Sequence, residues 1–429
     1  MELQRIKSLA VLTCGMSFAA FAQGAGFAII EQSASGIGNA FAGGAAAAED
    51  ASTIFFNPAG MILLDSPELQ SGAHIIAPYA KFVNEGTTTA GSIVTQGADS
   101  DGGETALVPN FYYAHPINER LVVGLGIHAP FGLATEFDKD SIVRYQAVRS
   151  EIQTINVNPS LAYRINSKLT VGFGLSAEYV YANLTNALDF NADGTSLLDG
   201  FLDLEGDDIG YGWNLGLLYE LSSSTRFGVH YRSRVETTLE GEADITVPSA
   251  LAAHPVISAA YVDQDIHADL TLPDSLSVSF FHQFNPRWSI MGDVTWMNWS
   301  KFYQLDIVFE ETGIGSPIIE NWRDNWRYSL AANYQASDVL KLRAGVAYDQ
   351  TPVRSSEFRS PRIPDASRVW LTLGASWDIS SSTTLDLGYV HIFVDDPVVN
   401  NSTHTANQHV VGTIKAHVDI LSASCTLRF

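Results

Sequence analysis

The chain ends on a run that leaves room for one fold class. From Leu421 onward, Leu421, Ala423, Cys425, Leu427 and Phe429 share one face, and Ser422, Ser424, Thr426 and Arg428 share the other. A strand that is apolar on one side, polar on the other and closed by a terminal aromatic is the last strand of a transmembrane β-barrel. The same alternation recurs at Leu169, Val171, Phe173, Leu175, Ala177, Tyr179 and Tyr181, at Val369 to Trp377, and at Phe227, Val229 and Tyr231. Charged residues make up 17% of the chain, against ~25% in soluble domains. A wall with half its side chains in lipid explains the shortfall. Beyond the N-terminus no segment reaches the ~18 apolar residues of a spanning helix.

The N-terminus reads as an export signal. Arg5 and Lys7 precede an apolar stretch from Leu9, and Ala20-Phe21-Ala22 has the form of a signal-peptidase site, which places cleavage after Ala22. Cys14 follows Thr13, a poor match to a lipoprotein signal. Removing residues 1–22 takes away Glu2, Arg5 and Lys7, so the net charge moves from −23 to −24. A chain this acidic is a poor nucleic-acid binder. Only Cys425 then remains, which excludes an internal disulfide.

Short polar turns recur near Asn118, Asn166, Ser223, Pro286, Ser337 and Ser381, with room between them for two strands and a longer loop. Six inner turns with both chain ends inside require seven hairpins. The expected architecture is all-β: a 14-stranded antiparallel transmembrane barrel in a bacterial outer membrane, formed by residues 66–429. Residues 23–65 do not alternate. They are rich in Gly, Ala and Ser but hold Phe27, Ile29, Phe41, Ile54, Phe55, Phe56 and Met61, too many apolar groups for a loose tail. They are expected to plug the lumen, with short helical pieces.

No nucleophile elbow or metal-ligand spacing stands out. The chain is read as a non-enzyme without cofactor or metal. Two outer loops carry apolar clusters: Leu197, Leu198, Phe201 and Leu202, spaced as one face of a helical turn, and Leu251, Val256, Ile257 and Tyr261. They either pack the loops together or form a groove for hydrophobic molecules. Pro130 and Gly132 close the third strand, and proline in a sheet marks an edge or bulge. Either the strand ends there, or it kinks and opens the wall. Arg323, Arg327, Arg343 and Arg368 are candidates to meet a carboxylate headgroup; for Arg343 the competing reading is a lumen ion pair. Asp203 to Asp208 is read as a solvated charge run, with a cation bridge to lipopolysaccharide as the alternative. Phe429 is expected to be recognised by the barrel-assembly machinery, and the barrel to be a monomer among outer-membrane lipids.

Ala25-Gly26-Phe27, the run Glu31 to Ala40, and Asn57-Pro58-Ala59 resemble the hatch of the FadL/TodX family of outer-membrane transporters for long-chain fatty acids and hydrocarbons. Val108-Pro109-Asn110, Phe131 to Phe137, Gly212-Trp213-Asn214, Tyr219-Glu220-Leu221, Tyr231-Arg232-Ser233, Leu272-Pro273 and Ile363-Pro364-Asp365 follow in the family's order. The resemblance implies a 14-stranded barrel with an N-terminal hatch gated around Asn57, Pro58 and Ala59. It implies capture of a long-chain fatty acid or other hydrophobic small molecule between the third and fourth outer loops, and lateral exit near Pro130 and Gly132. Leu188 and Ile318 stand where family members hold a headgroup with basic residues, which keeps neutral hydrocarbons open as substrates. A barrel-anchored adhesin is the rival from another class.

Overall fold

The computed structural model describes residues 25–89, 92–311, 314–404 and 408–429. The expected export signal lies outside them. Fourteen antiparallel staves close into a barrel. They are β1 (Glu68–Asn84), β2 (Ala106–Asn118), β3 (Leu121–His128, resuming at Gly132–Glu136), β4 (Arg149–Arg164), β5 (Leu169–Asp189), β6 (Asp199–Ser222), β7 (Thr225–Arg232 and Val235–Thr246), β8 (Gln264–Leu272 and Ser275–Asn285), β9 (Trp288–Met297 and Gln304–Phe309), β10 (Ile314–Ile319 and Asn325–Ser337), β11 (Leu340–Asp349), β12 (Arg368–Ser380), β13 (Thr383–Val394) and β14 (Gln408–Arg428).

All six expected inner turns are present, and asparagine shapes three of them. The Asn118 Oδ1 accepts from the backbone N–H of Arg120 and Leu121, Asn166 from Lys168 and Leu169, and Asn285 from Arg287 and Trp288. An Asx turn of this kind reverses the chain within a few residues. The last strand closes the barrel as its alternation requires. β14 pairs with β1 from Glu68 opposite Arg428 to Asn84 opposite Gly412. Leu421 is 60% exposed, whereas Ser422, Ser424 and Thr426 are buried toward the lumen.

One local expectation fails. The spacing of Leu197, Leu198, Phe201 and Leu202 suggested a helical turn, but Asp199 already begins β6. Thr185 pairs with Asp203 and Leu188 with Gly200. The β5–β6 hairpin runs 21 and 24 residues, well past the ~9–11 that cross a membrane. Its outer part gains more from cross-strand hydrogen bonds than a two-turn helix could supply. The acidic run Asp203 to Asp208 lies on this extension, with Glu205 exposed opposite Glu242.

Inside the wall lies a plug of three short helices, α1 (Ala34–Gly38), α2 (Gly44–Ala47) and α3 (Thr53–Phe56), followed by a 3-10 turn, Pro58–Leu63. Helices this short satisfy few of their own carbonyls. Wall arginines supply the donors. Arg226 donates to the Ala47 carbonyl at 2.8 Å, Arg232 to Phe55 at 3.0 Å, Arg164 to Ile62 at 3.4 Å and Arg327 to Ala40 at 2.5 Å. Arg343 binds the plug through Glu49 at 2.7 Å and the wall through Asp386 at 3.1 Å, with Lys341 3.5 Å from Glu49. The wall is smooth where the plug's backbone touches it: a Cβ at Gly228 would stand 1.8 Å from the Ala45 carbonyl oxygen.

Gly228→Val should therefore unseat α2 at a cost of ~1–3 kcal/mol while the barrel still forms. Unchanged protease access to the plug, in a protein with normal heat-dependent gel mobility, would contradict this. The Glu49 carboxyl gives a pH signature. Burial would raise it, but Lys341 and Arg343 outweigh burial and hold it at about 2, below its ordinary 4.5. A depressed carboxylate stabilises fully above its unfolded pKa and stops doing so as pH falls through its folded one. Pepsin access to the plug should rise between pH 4.5 and 2 in the native protein, and Glu49→Gln should remove that step.

Candidate functional site

Asn57 joins three segments. It caps the 3-10 turn, its Oδ1 accepting from the Ala59 N–H at 3.0 Å. Its Nδ2 donates to the Ala45 carbonyl at 2.6 Å and to the Leu217 carbonyl of β6 at 3.0 Å. The side chain is fully buried. Pro58 follows as the first residue of the turn, where a missing N–H costs nothing. Gly216 makes room, since a Cβ there would lie 1.9 Å from Asn57 Oδ1.

The wall parts between β2 and β3. β3 pairs with β2 only up to Ile127 opposite Phe111. It then breaks at Ala129-Pro130-Phe131 and resumes at Gly132, paired along β4 and bridged on its other side only near Thr135 and Glu136, to Gly102 and Gly103 of the loop before β2. Pro130 thus kinks the strand rather than ending it. The plug's first residues take over the missing bonds. Ile29 N–H donates to the Pro130 carbonyl at 2.8 Å, Gly132 N–H to the Phe27 carbonyl at 2.9 Å, and Gln32 Nε2 to Ala129 at 2.7 Å. The Thr154 hydroxyl donates to the Phe131 carbonyl at 2.7 Å. Between the parted staves lies a cleft of about 130 Å³ lined by Leu107, Pro109, Phe111, Ile127, His128 and Ile155, among others.

Immediately inside the gap is a packed aromatic cluster that sequence reasoning missed. Phe27 packs on Trp299 at 4.7 Å, Phe302 at 5.3 Å, Trp322 at 5.9 Å and Phe131 at 6.1 Å between ring centroids. Trp299, Phe302 and Trp322 point inward because β9 and β10 are interrupted there, at 298–303 and 320–324. The only signal was indirect: two tryptophans in stretches where alternation lapses. The apolar surface continues outward through Leu239, Leu270 and Leu272, then Leu204, Ala243, Ile266 and Ile307.

At the outer end, Leu202 joins that inner wall, while Leu198 and Phe201 are half-buried. Leu197 is 82% exposed. Val256 and Ile257 ride on a short helix, α4 (Pro255–Ala260), which has no buried residue, and Leu251 precedes it. Tyr261 meets Phe190 edge-on at 4.8 Å, linking the third and fourth loops. The headgroup candidates are dispersed. Arg323 is exposed near the Thr351 carbonyl, Arg343 is neutralised by Glu49 and Asp386, and Arg368 pairs with Asp365. Among the described residues no group of His, Cys, Asp and Glu is placed to hold a metal.

A family model described as outer membrane protein transport protein (OMPP1/FadL/TodX) matches residues 15–429. A putative outer membrane protein of Neisseria meningitidis serogroup B is 30% identical over 98% of both chains. The long-chain fatty acid transport protein of Escherichia coli K12 is 30% identical over 86% of this chain and 88% of its own. Among solved structures, a Pseudomonas aeruginosa FadL homologue superposes with a TM-score of 0.87 at 24% identity, over 94% of this chain and 100% of that one. The Ralstonia pickettii toluene transporter TbuX gives 0.68 at 19%, over 92% and 98%. A plugged 14-stranded barrel, a capped Asn-Pro-Ala turn and a family match spanning the described residues lead to one conclusion: the chain belongs to the OMPP1/FadL/TodX family of outer-membrane transport proteins.

Proposed function

We propose that this protein passively carries long-chain fatty acids, or closely related hydrophobic molecules, from the medium into the outer membrane. The observation that carries the reading is the gap between β2 and β3, which lies beside the aromatic cluster and is closed by plug residues 27–32. Substrate is captured by the apolar residues of the third and fourth loops. It moves along the Leu204–Ile266–Leu239–Leu270 wall, displaces Phe27 from the aromatic cluster, and leaves sideways past Pro130 and Gly132. Burying ~15 methylenes supplies up to ~12 kcal/mol of gross driving force, much of it lost to ordering. A route that stays apolar from loop to bilayer never rehydrates the chain. Arg343 serves here as a plug anchor, since both its carboxylate partners are already in place.

Neutral hydrocarbons are the second reading, favoured by Leu188 and Ile318 at the outer wall, neither of which can hold an anion. Uptake of labelled oleate and of toluene, in a strain lacking its own transporter, separates the two. Uptake of neither above a vector control would sink both.

The gate and the exit are tested separately. Asn57→Ala removes three hydrogen bonds and leaves the Ala45 carbonyl buried, a loss of ~1–3 kcal/mol. Uptake should change several-fold in a correctly assembled barrel; an unchanged rate would remove Asn57 from the gate. Replacing Pro130 and Gly132 together with valine should let β3 zip to β2 and reduce uptake at least several-fold. Normal uptake through the doubly substituted wall would rule out lateral exit.

A further inference from the structure

The lumen side of the gap carries a set of polar side chains that the transport route above does not use. His128 on β3 lies opposite Asn156 on β4, and Asn156 lies opposite Glu178 on β5. All three are buried, so they form one row across adjacent staves on the lumen face. Asn156 Nδ2 donates to Glu178 Oε2 at 2.9 Å. Tyr112 on β2 stacks beside the His128 ring, 5.9 Å between centroids. Phe55 of the plug covers the group. Its ring meets His128 edge-on at 4.9 Å, and the Arg232 guanidinium lies over the same ring, 4.5 Å from its centroid.

These side chains hold an unusual concentration of buried polar atoms with no protein partner. They are the Tyr112 hydroxyl, both ring nitrogens of His128, Asn156 Oδ1, Glu178 Oε1 and Arg232 Nη1. Leaving one such atom unsatisfied costs ~1–3 kcal/mol, so six in one neighbourhood call for a polar occupant. The set is mixed. Arg232, Tyr112 and one His128 nitrogen donate, while Glu178, Asn156 and the other His128 nitrogen accept. A hydrocarbon answers none of these groups. An ester answers only donors. A fatty acid that enters with its proton carries an acceptor and a donor on one carbon and answers both kinds, with Glu178 left to balance the charge of Arg232.

Position ties the cluster to the exit. His128 belongs both to this group and to the lining of the cleft between β2 and β3, whose remaining walls are largely apolar: Leu107, Phe111, Ile127 and Ile155. We propose that Tyr112, His128, Glu178 and Arg232 form a waypoint for the carboxyl end of a fatty acid, which holds the headgroup at the inner mouth of the gap while the acyl chain enters the bilayer. The proposal rests on the transport reading and deepens it, because it makes a carboxylic acid the preferred cargo over a neutral hydrocarbon. Phe55 blocks the waypoint while the plug is seated, and Arg232 holds Phe55 by its carbonyl at 3.0 Å. Departure of α3 would therefore release the guanidinium and open the site together.

The test compares oleic acid with methyl oleate, which has the same chain and lacks the acid proton. Purified wild-type protein should bind oleic acid several-fold more tightly than the ester. Tyr112→Phe and His128→Phe leave the Arg232–Phe55 contact in place and should cut that preference several-fold, in binding and in uptake alike. Arg232→Gln should do the same, and any further effect common to both ligands would report loosening of the plug. Equal affinity of the wild type for acid and ester, or an unaltered preference in both Tyr112→Phe and His128→Phe, overturns the waypoint. If wild-type cells take up neither ligand, the transport reading fails on its own, and the binding ratio still decides the site.

Discussion

Within a bilayer every backbone N–H and C=O must find a partner inside the protein, and this requirement organises the whole molecule. Most staves meet it by pairing along both flanks, and β14 closes onto β1. β3 does not. Where it leaves β2, the freed carbonyls of Ala129 and Pro130 and the N–H of Gly132 are taken by residues 27–32 of the plug. Pro109 on the facing stave has no N–H to strand. The gap is therefore a transfer of hydrogen bonds from wall to plug.

The same requirement explains the lumen. The plug's helices have four or five residues each, too few to satisfy their own ends. Arg164, Arg226, Arg232 and Arg327 project inward from four different places on the wall to hold carbonyls near those ends. Ala40, Phe41 and Ala48 adopt left-handed backbone conformations, which such residues accept only when surrounding contacts impose them. These separate polar contacts act beside apolar ones, with Ile37 and Phe41 packed in one cluster with Trp370 of the wall, and Ile54 and Met61 in another with Tyr112.

The barrel was legible because its cause is local. Alternation with a period of two and asparagine-led turns are written residue by residue, so strand number, the six inner turns and the closing role of Leu421–Phe429 could be counted. The Asn-Pro-Ala turn was legible as a motif, though its partners Ala45 and Leu217 were not. The outer loop was misread: Leu197 to Leu202 has helical spacing, and only the pairing partner of β6 shows that it is hairpin. The aromatic cluster left only the indirect trace of two tryptophans where alternation lapses. Phe27, Phe131, Trp299, Phe302 and Trp322 come from four distant stretches, and none is exceptional in its own context.

The sequence alone determined that the chain is a 14-stranded outer-membrane barrel whose N-terminal segment is too apolar to hang free. Those facts follow from the period and solvent preference of neighbouring residues. Tertiary structure alone decided that Pro130 breaks a strand instead of ending it. It also decided that the plug supplies the hydrogen bonds lost there, and that aromatic and polar groups converge behind the break. Each depends on which segments lie side by side once the barrel closes, and no local pattern encodes that.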